Sequence, residues 1–220
     1  MPAMKTVHFY LVRHGQTRLN RLKRLQGVTN SRLTHKGREA ARNLGTQLKD
    51  MDFEAVYTSD LKRTQDTANF ILEKNRYAFD IQPLKGLREV DFGRLEEMKN
   101  KKLIPLLVKK FGFFKVIKAV LGHNRFRDLV DMFAELEGTS QAETYDSMTS
   151  RIIETLTDIG SQYQTRGGNI LIVSHGLVLS SFIDSLEKNQ LPIMLLKNAS
   201  VSNVDFEKGK FKVVKINQKG

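Results

Sequence analysis

Residues 167–176 read GGNILIVSHG: paired glycines, an unbroken apolar run, then Ser, His and Gly. As a strand, Ile170 to Val173 would have no polar face to turn to water. It belongs in the middle of a sheet, covered by helices on both sides. A second segment ends the same way: KTVHFYLV (5–12), rich in β-branched and aromatic residues, runs into RHG at 13–15. In open α/β sheets ligands bind beyond the carboxyl ends of the strands. If these two strands are neighbours, His14 and His175 face one site, and the glycine after each lets the backbone turn sharply beside a ligand.

The rest of the chain alternates in kind. SRLTHKGREAARNLGTQLKD has apolar residues at helical spacing (Ala40, Ala41, Leu44, Leu48) behind Thr34 as N-cap. FEAVYTS (53–59) reads as a short strand, with Asp60 capping a helix through LKRTQDTANFILEKN. AFDIQP is another strand ending at Pro83. SQAETYDSMTSRIIETLTDIGSQYQ reads as a long helix and LVLSSFIDSL as the helix leaving the GGNILIVSHG strand. SVSNVDFEKGKFKVVKIN forms a closing hairpin turning at EKGK. Strands alternating with helices imply an α/β fold, a three-layer α/β/α sandwich with a mostly parallel central sheet. With no repeat or low-complexity linker, residues 1–220 read as one domain, and 97–138 as a basic cap insertion.

Two more segments carry chemistry. YTSDLKRTQDTA puts Arg63 in the first turn of a helix, and GLREVDFGRLEE holds Glu89 between Arg88 and Asp91. Singly, Arg63 reads as a solvated helix residue and Glu89 as a partner of Arg88. Together with Arg13, His14 and His175 they make a set suited to phosphoryl transfer, which is catalysed mainly by positioning and electrostatics. Two guanidiniums can fork onto phosphoryl oxygens. One neutral imidazole can attack phosphorus, the other, if protonated, can hold its oxygens, and a protonated carboxyl can supply the leaving oxygen with a proton. A metal site fares worse, because no HxxxH or carboxylate-rich cluster supplies a third ligand. There is no P-loop or dinucleotide-binding glycine pattern, and no cofactor is expected.

At this point LVRHGQTRLN…LQGVTNSRLTHKGREAA, VYTSDLKRTQDTA, LREVDFG, VSHG and NASVSNVDF, in that order, resemble the histidine phosphatase superfamily in its phosphoglycerate mutase-like branch. The likeness runs over about residues 5–97 and 138–216. The resemblance implies a phosphoglycerate mutase-like fold, His14 as the residue that becomes phosphorylated, Arg13, Arg63 and His175 as the phosphate pocket, and Glu89 as proton donor. It places Asn20, Gln26, Gly27 and Gly176 around the same phosphate. The chain departs from the branch pattern at LEEMKN (95–100), where an acidic residue followed by Gly is usual, and lacks the tryptophans of the glycolytic mutases, having no Trp at all. A phosphatase acting on a small phosphate monoester is therefore expected ahead of a mutase or a non-catalytic phosphate-binding module.

Net charge is +12, and much of it is local: residues 99–127 contain nine Lys or Arg and no Asp or Glu. Basic surfaces favour anionic partners. The segment reads first as a helical hairpin interrupted at Pro105 and Gly112, with apolar residues on the sandwich and lysines in water. A sharper reading brings those cations over the pocket to select a multiply charged substrate. Lys110 and Lys118 fall near the apolar side of the wheel and spoil a clean membrane-binding face, and no nucleic-acid-binding module is present. No apolar run approaches the roughly 20 residues of a membrane span, and no signal peptide is legible. The absence of cysteine fits a reducing compartment, so a cytoplasmic location is expected. His8, His35 and His123 read as surface or packing residues, and the oligomeric state is not encoded in any feature of the sequence.

Overall fold

The computed structural model describes residues 4–188, 191 and 195–219. In chain order the elements are β1 (Val7–Arg13), α1 (Arg18–Arg21), α2 (His35–Gln47), β2 (Ala55–Ser59), α3 (Lys62–Leu72) and β3 (Ile81–Leu84). Then come α4 (Asn100–Phe111), α5 (Phe113–Leu121), α6 (Arg125–Glu137), α7 (Tyr145–Tyr163), β4 (Gly168–Ser174), α8 (Gly176–Leu186), β5 (Ser200–Glu207) and β6 (Lys210–Lys219). The strands form one sheet in the order β3-β2-β4-β1-β5-β6. β3, β2, β4 and β1 run parallel, while β5 and β6 are antiparallel additions. The architecture is the expected three-layer sandwich with a mostly parallel sheet.

β4 is central because of its composition. Ile170 to Val173 are all fully buried, each contributing about 1.5–3 kcal/mol by leaving water. Ile170 and Ile172 face one layer with Phe9, Leu11, Ile152, Leu156 and Phe182. Leu171 and Val173 face the other with Ala41, Leu44, Ala68 and Ile71. The sheet is thus covered by α7 and α8 on one side and by α2 and α3 on the other. β1 lies beside β4 in parallel, with Arg13 opposite Ser174, so the histidines that follow them are neighbours.

Local signals account for most boundaries. Thr34 caps α2, its hydroxyl accepting the Gly37 N–H at 3.0 Å, a contact worth about 1 kcal/mol. Thr144 caps α7, so that helix begins at Tyr145 rather than Ser140. The closing hairpin turns at Lys208 and Gly209, both at positive φ, the geometry that suits the twist of a two-residue hairpin.

Three local expectations are corrected. Asp60 does not cap α3. Leu61 is its N-cap residue and makes no side-chain cap bond. The Asp60 carboxylate instead takes a forked pair of hydrogen bonds from Arg88, both at 2.6 Å. A charged bidentate partner outcompetes a neutral N–H for a carboxylate, and it leaves Glu89 free of Arg88. Pro105 does not interrupt α4, which runs through it. The ring removes the bond to the carbonyl of Lys101, an exposed residue whose carbonyl water can serve, while buried Leu103 and Leu107 hold the turns on either side. The basic segment is not a hairpin alone, because α4 and α5, broken at Gly112 (φ 84°), are joined by α6. Their buried residues join the core on the α7/α8 side.

The departure at LEEMKN has a backbone consequence. Glu97 is exposed and sits at φ 60°, a left-handed conformation that costs a side-chain-bearing residue about 1–2 kcal/mol. The chain makes there the turn that glycine makes freely. Glu97→Gly should therefore raise stability by about 0.5–1 kcal/mol, seen as a thermal midpoint about 1–4 °C higher. An unchanged or lower midpoint would show that the turn is held by something other than its φ.

Candidate active site

β1 and β4 deliver two histidines side by side. The His14 N–H donates to the Ser174 carbonyl at 3.0 Å, continuing the ladder one residue past β1. The rings of His14 and His175 meet edge to face with centroids 5.2 Å apart. Gly15 makes this close packing possible, since a Cβ there would lie 2.6 Å from the carbonyl oxygen of Gly37 in the first turn of α2. Its N–H is held by Thr67 Oγ1 at 3.0 Å.

The hydrogen bonds fix the tautomer of each ring. His14 Nδ1 lies 2.8 Å from the Gly15 carbonyl. A carbonyl only accepts, so Nδ1 carries the proton and Nε2 is a lone pair. That lone pair receives the Nε–H of Arg63 at 3.3 Å. For His175 the deduction starts at Thr64, whose hydroxyl donates to backbone carbonyls of Ser59 and Leu61. Ser59 Oγ, 2.7 Å from Thr64 Oγ1, must then donate to it. It is left to accept from His175 Nε2 at 2.8 Å. His175 Nδ1 is therefore also a lone pair, receiving Arg63 Nη2 at 2.9 Å. Both rings are neutral. Burial first, then the charge of Arg63, holds each well below the ordinary histidine value, with Arg13 adding to the effect. The protonated His175 considered from the sequence is not the state of the free site.

Arg63 is the hub. It projects from the first turn of α3 into the protein, 1% exposed, and also donates to Thr29 O at 3.0 Å and Gly27 O at 2.5 Å. Burial lowers its pKa to about 10, the largest effect on it, so it remains a cation at neutral pH. Gly27 contributes backbone, since its carbonyl faces Arg63 and a Cβ would lie 2.1 Å from Val90 O. Glu96, not singled out from the sequence, anchors this loop by accepting the N–H groups of Gly27, Val28 and Thr29 at 3.0–3.3 Å.

Arg13 reaches from the end of β1 to the Leu196 carbonyl at 2.6 Å. Its buried Nε has no hydrogen-bond partner among the described residues. Gly176 packs against it, where a Cβ would approach that Nε to 2.7 Å. Glu89 sits at the N-terminus of α8, accepting from Leu177 N and Val178 N, each at 2.9 Å. Burial raises its pKa above 4.5, against the pull of those N–H groups and of Arg63. Its segment is pinned by Arg151 of α7, which donates to the carbonyls of Gly86 and Arg88. Asn20 and Gln26 form a polar pair, Nδ2 to Oε1 at 3.2 Å, shared with the Thr17 hydroxyl at 2.6 Å.

Arg13, His14, Asn20, Gln26 and Glu89 line one cavity of about 790 Å³. Arg63 and His175 stand behind His14, almost wholly buried. Gly27 and Gly176 back the two arginines. Sequence reasoning passed over Asn198, whose Nδ2 holds the His14 carbonyl at 2.8 Å, and the hydroxyls of Ser59 and Thr67. Ser59 and Thr67 carry the signal of polarity at buried strand and helix positions, whereas Asn198 sits half-buried in a turn and carries none.

A family model for the histidine phosphatase superfamily, branch 1, matches residues 9–219. The chain belongs to that superfamily. A probable phosphoglycerate mutase GpmB from Erwinia tasmaniensis is 32% identical over 201 residues, covering 90% of this chain and 84% of that protein. The crystal structure of a phosphoglycerate mutase from Bacillus anthracis str. Sterne superposes with a TM-score of 0.88 at 32% identity, covering 98% of this chain and 94% of that one. An alpha-ribazole phosphatase from Shigella flexneri superposes with a TM-score of 0.72 at 25% identity, covering 96% of each chain. Mutases and phosphatases thus share this superfamily fold.

Two buried neutral histidines should make the stability of this superfamily member fall in acid. Their folded pKa values lie below the unfolded value near 6.5. Between the two the unfolded chain binds protons that the folded one does not, so stability is complete above pH ~6.5 and falls as the pH drops. Glu89, raised above 4.5, acts in the opposite sense over the lower part of this range. Chemical denaturation between pH 7 and 5 should show a loss approaching about 1.4 kcal/mol per pH unit for each histidine not offset, and His14→Gln/His175→Gln should flatten the slope. The same slope in the double variant would place the titrating groups elsewhere.

Proposed function

We propose that the protein is a phosphatase that hydrolyses a phosphate monoester through a phosphohistidine on His14, with Glu89 as general acid and then base. One observation carries the reading: His14 Nε2 is a lone pair on a neutral ring, because Nδ1–H is committed to the Gly15 carbonyl, and it lies in a cavity that also holds Arg13 and Glu89.

The steps use groups already in place. The incoming phosphoryl group takes the position where Arg63 Nε now meets His14 Nε2, and Arg63 and Arg13 donate to its equatorial oxygens. The second ionisation of a phosphate monoester lies near pH 6. A bound monoanion can therefore pass its proton to the His175 Nδ1 lone pair, giving an imidazolium that donates back to a phosphoryl oxygen. His14 Nε2 attacks phosphorus as the ester P–O bond breaks, and protonated Glu89 gives its proton to the leaving oxygen. Water then attacks the phosphohistidine, Glu89 takes its proton, His175 returns its proton to the phosphate, and inorganic phosphate departs from a regenerated His14 and a neutral His175. The elevated pKa of Glu89 suits a carboxyl that must hold a proton in the first step and accept one in the second.

Phosphoglycerate mutase-type transfer is the second reading, favoured by the names of the relatives and by Lys23 and Arg24 on one rim of the cavity. In that case 3-phosphoglycerate would be isomerised in the presence of 2,3-bisphosphoglycerate rather than dephosphorylated.

The purified protein should hydrolyse p-nitrophenyl phosphate without added metal and give an acid-labile phosphoenzyme on rapid quenching. His14→Ala should abolish both. Glu89→Gln should lower kcat by roughly 10²–10⁴ and flatten the alkaline limb of the pH profile, where wild-type Glu89 loses its proton. Full activity in the His14 variant would remove the nucleophile assignment.

A further inference from the structure

We propose that the substrate is an amphiphilic phosphate monoester, whose apolar tail lies in the cavity between His14 and helices α4–α6; the inference rests on the hydrolase reading above. None of the nine cations between 99 and 127 lines the cavity. The cap presents Leu103, Leu107, Val116 and Phe133 to it instead, the first three nearly fully buried. The apolar wall continues outward to Ile104, Ile117 and Val120, which are 55%, 42% and 36% exposed.

Single exposed apolar residues are ordinary, but several converging on one concave surface mark a binding site. Their position is the informative part. Arg13, His14 and Glu89 share one cavity with Phe92, Leu103, Leu107 and Leu177, so a phosphate held at His14 has apolar side chains in the same enclosure. The two other cations lining the cavity, Lys23 and Arg24, follow α1 rather than belonging to the cap, and Arg24 donates one N–H to the Glu97 carbonyl at 2.8 Å. A bisphosphate or a phosphorylated polyol would desolvate its polar groups wherever they meet Leu103, Leu107, Val116 and Phe133, which offer no hydrogen bond. An alkyl, prenyl or acyl chain would replace water there favourably. The volume, about 790 Å³, lies within the range of pockets that enclose ligands much larger than a phosphate. Such a substrate could come from solution or from a bilayer. Phe113 and Phe114 stand 59% and 87% exposed on α5, in a segment with no acidic residue, which suits approach to an anionic lipid surface.

The test is a series of n-alkyl phosphates from methyl to decyl, each kept below its micellar concentration, alongside phosphatidate in phosphatidylcholine vesicles and 2,3-bisphosphoglycerate. kcat/KM should rise roughly two- to fourfold per methylene until the cavity is filled, and Ile117→Asp should lower the decyl-to-methyl ratio at least tenfold. Phosphatidate cleaved faster than free decyl phosphate would assign the bilayer as source, and the reverse order would assign solution. Binding of decylphosphonate, which is not turned over, should be tighter than that of methylphosphonate, with a negative heat-capacity change. If p-nitrophenyl phosphate is hydrolysed but the alkyl series is flat, or if the bisphosphate is preferred, the tail site is wrong and the hydrolase reading stands. If no ester is hydrolysed, the phosphonate pair decides alone: tail-dependent binding keeps the site and removes the hydrolase, and equal binding removes both.

Discussion

The buried guanidinium of Arg63 sets the terms for everything around it. Removing a cation from water costs several kcal/mol unless its donors are met, and among the described residues no carboxylate is in ion-pair contact with this one. It is met instead by two loop carbonyls and two imidazole lone pairs. The four acceptors come from three stretches of chain: the ends of β1 and β4, and the 27–29 loop. The pairing of β1 with β4 is therefore a precondition for burying Arg63, whose charge adds to the rings' own burial in holding both neutral. Glu96 extends the same constraint outward. By accepting three consecutive N–H groups it turns the Gly27 and Thr29 carbonyls toward the guanidinium.

Electrostatics and packing divide the cavity into two ends. At the floor, two arginines, two histidines and Glu89 perturb one another, because all are buried within reach of the same charges. At the cap, the wall is apolar. The cap lysines find other partners, such as Lys110 on the Glu135 backbone carbonyl and over the Phe111 ring. Apart from Arg125, which is buried against the Leu191 carbonyl, the segment's cations stay off the cavity, and its inner surface is built mainly from Leu, Ile, Val and Phe.

Much of this was legible in the residues. ILIV in β4 declares a strand buried on both faces, and the paired RHG and SHG endings place two histidines at strand termini. The ordered motifs bring Arg63 and Glu89 to the same site. Thr34, next to a run with helical spacing, is a cap in the sequence and in the structure. What was hidden depends on choices between partners. Asp60 has the residue type of an N-cap, but a guanidinium distant in sequence competes for its carboxylate and wins. Pro105 is a helix breaker by type, yet its lost bond falls on the solvent side of a helix held by buried leucines. The cap misled through its composition: the excess of Lys is visible in any window, whereas which face of α4 and α5 meets the cavity depends on how the three helices dock. Glu96 and Asn198 act on backbone atoms, and backbone acceptors and donors leave no mark in a sequence.

The contrast between floor and cap also bears on hydrolysis against transfer. A mutase must keep a doubly phosphorylated intermediate bound while it turns end for end, so both ends of its cavity need groups that grip phosphate. Here Arg13, His14 and Glu89 share the cavity with Leu103, Leu107 and Val116 of the cap, and the other two cations lining it, Lys23 and Arg24, come from outside the cap. A phosphate turned toward that wall would lose its hydration with nothing to replace it. On the proposed reading, the released alcohol instead leaves through the open side at Ile104 and Ile117, and water follows it to the phosphohistidine. Retention favours transfer and release favours hydrolysis.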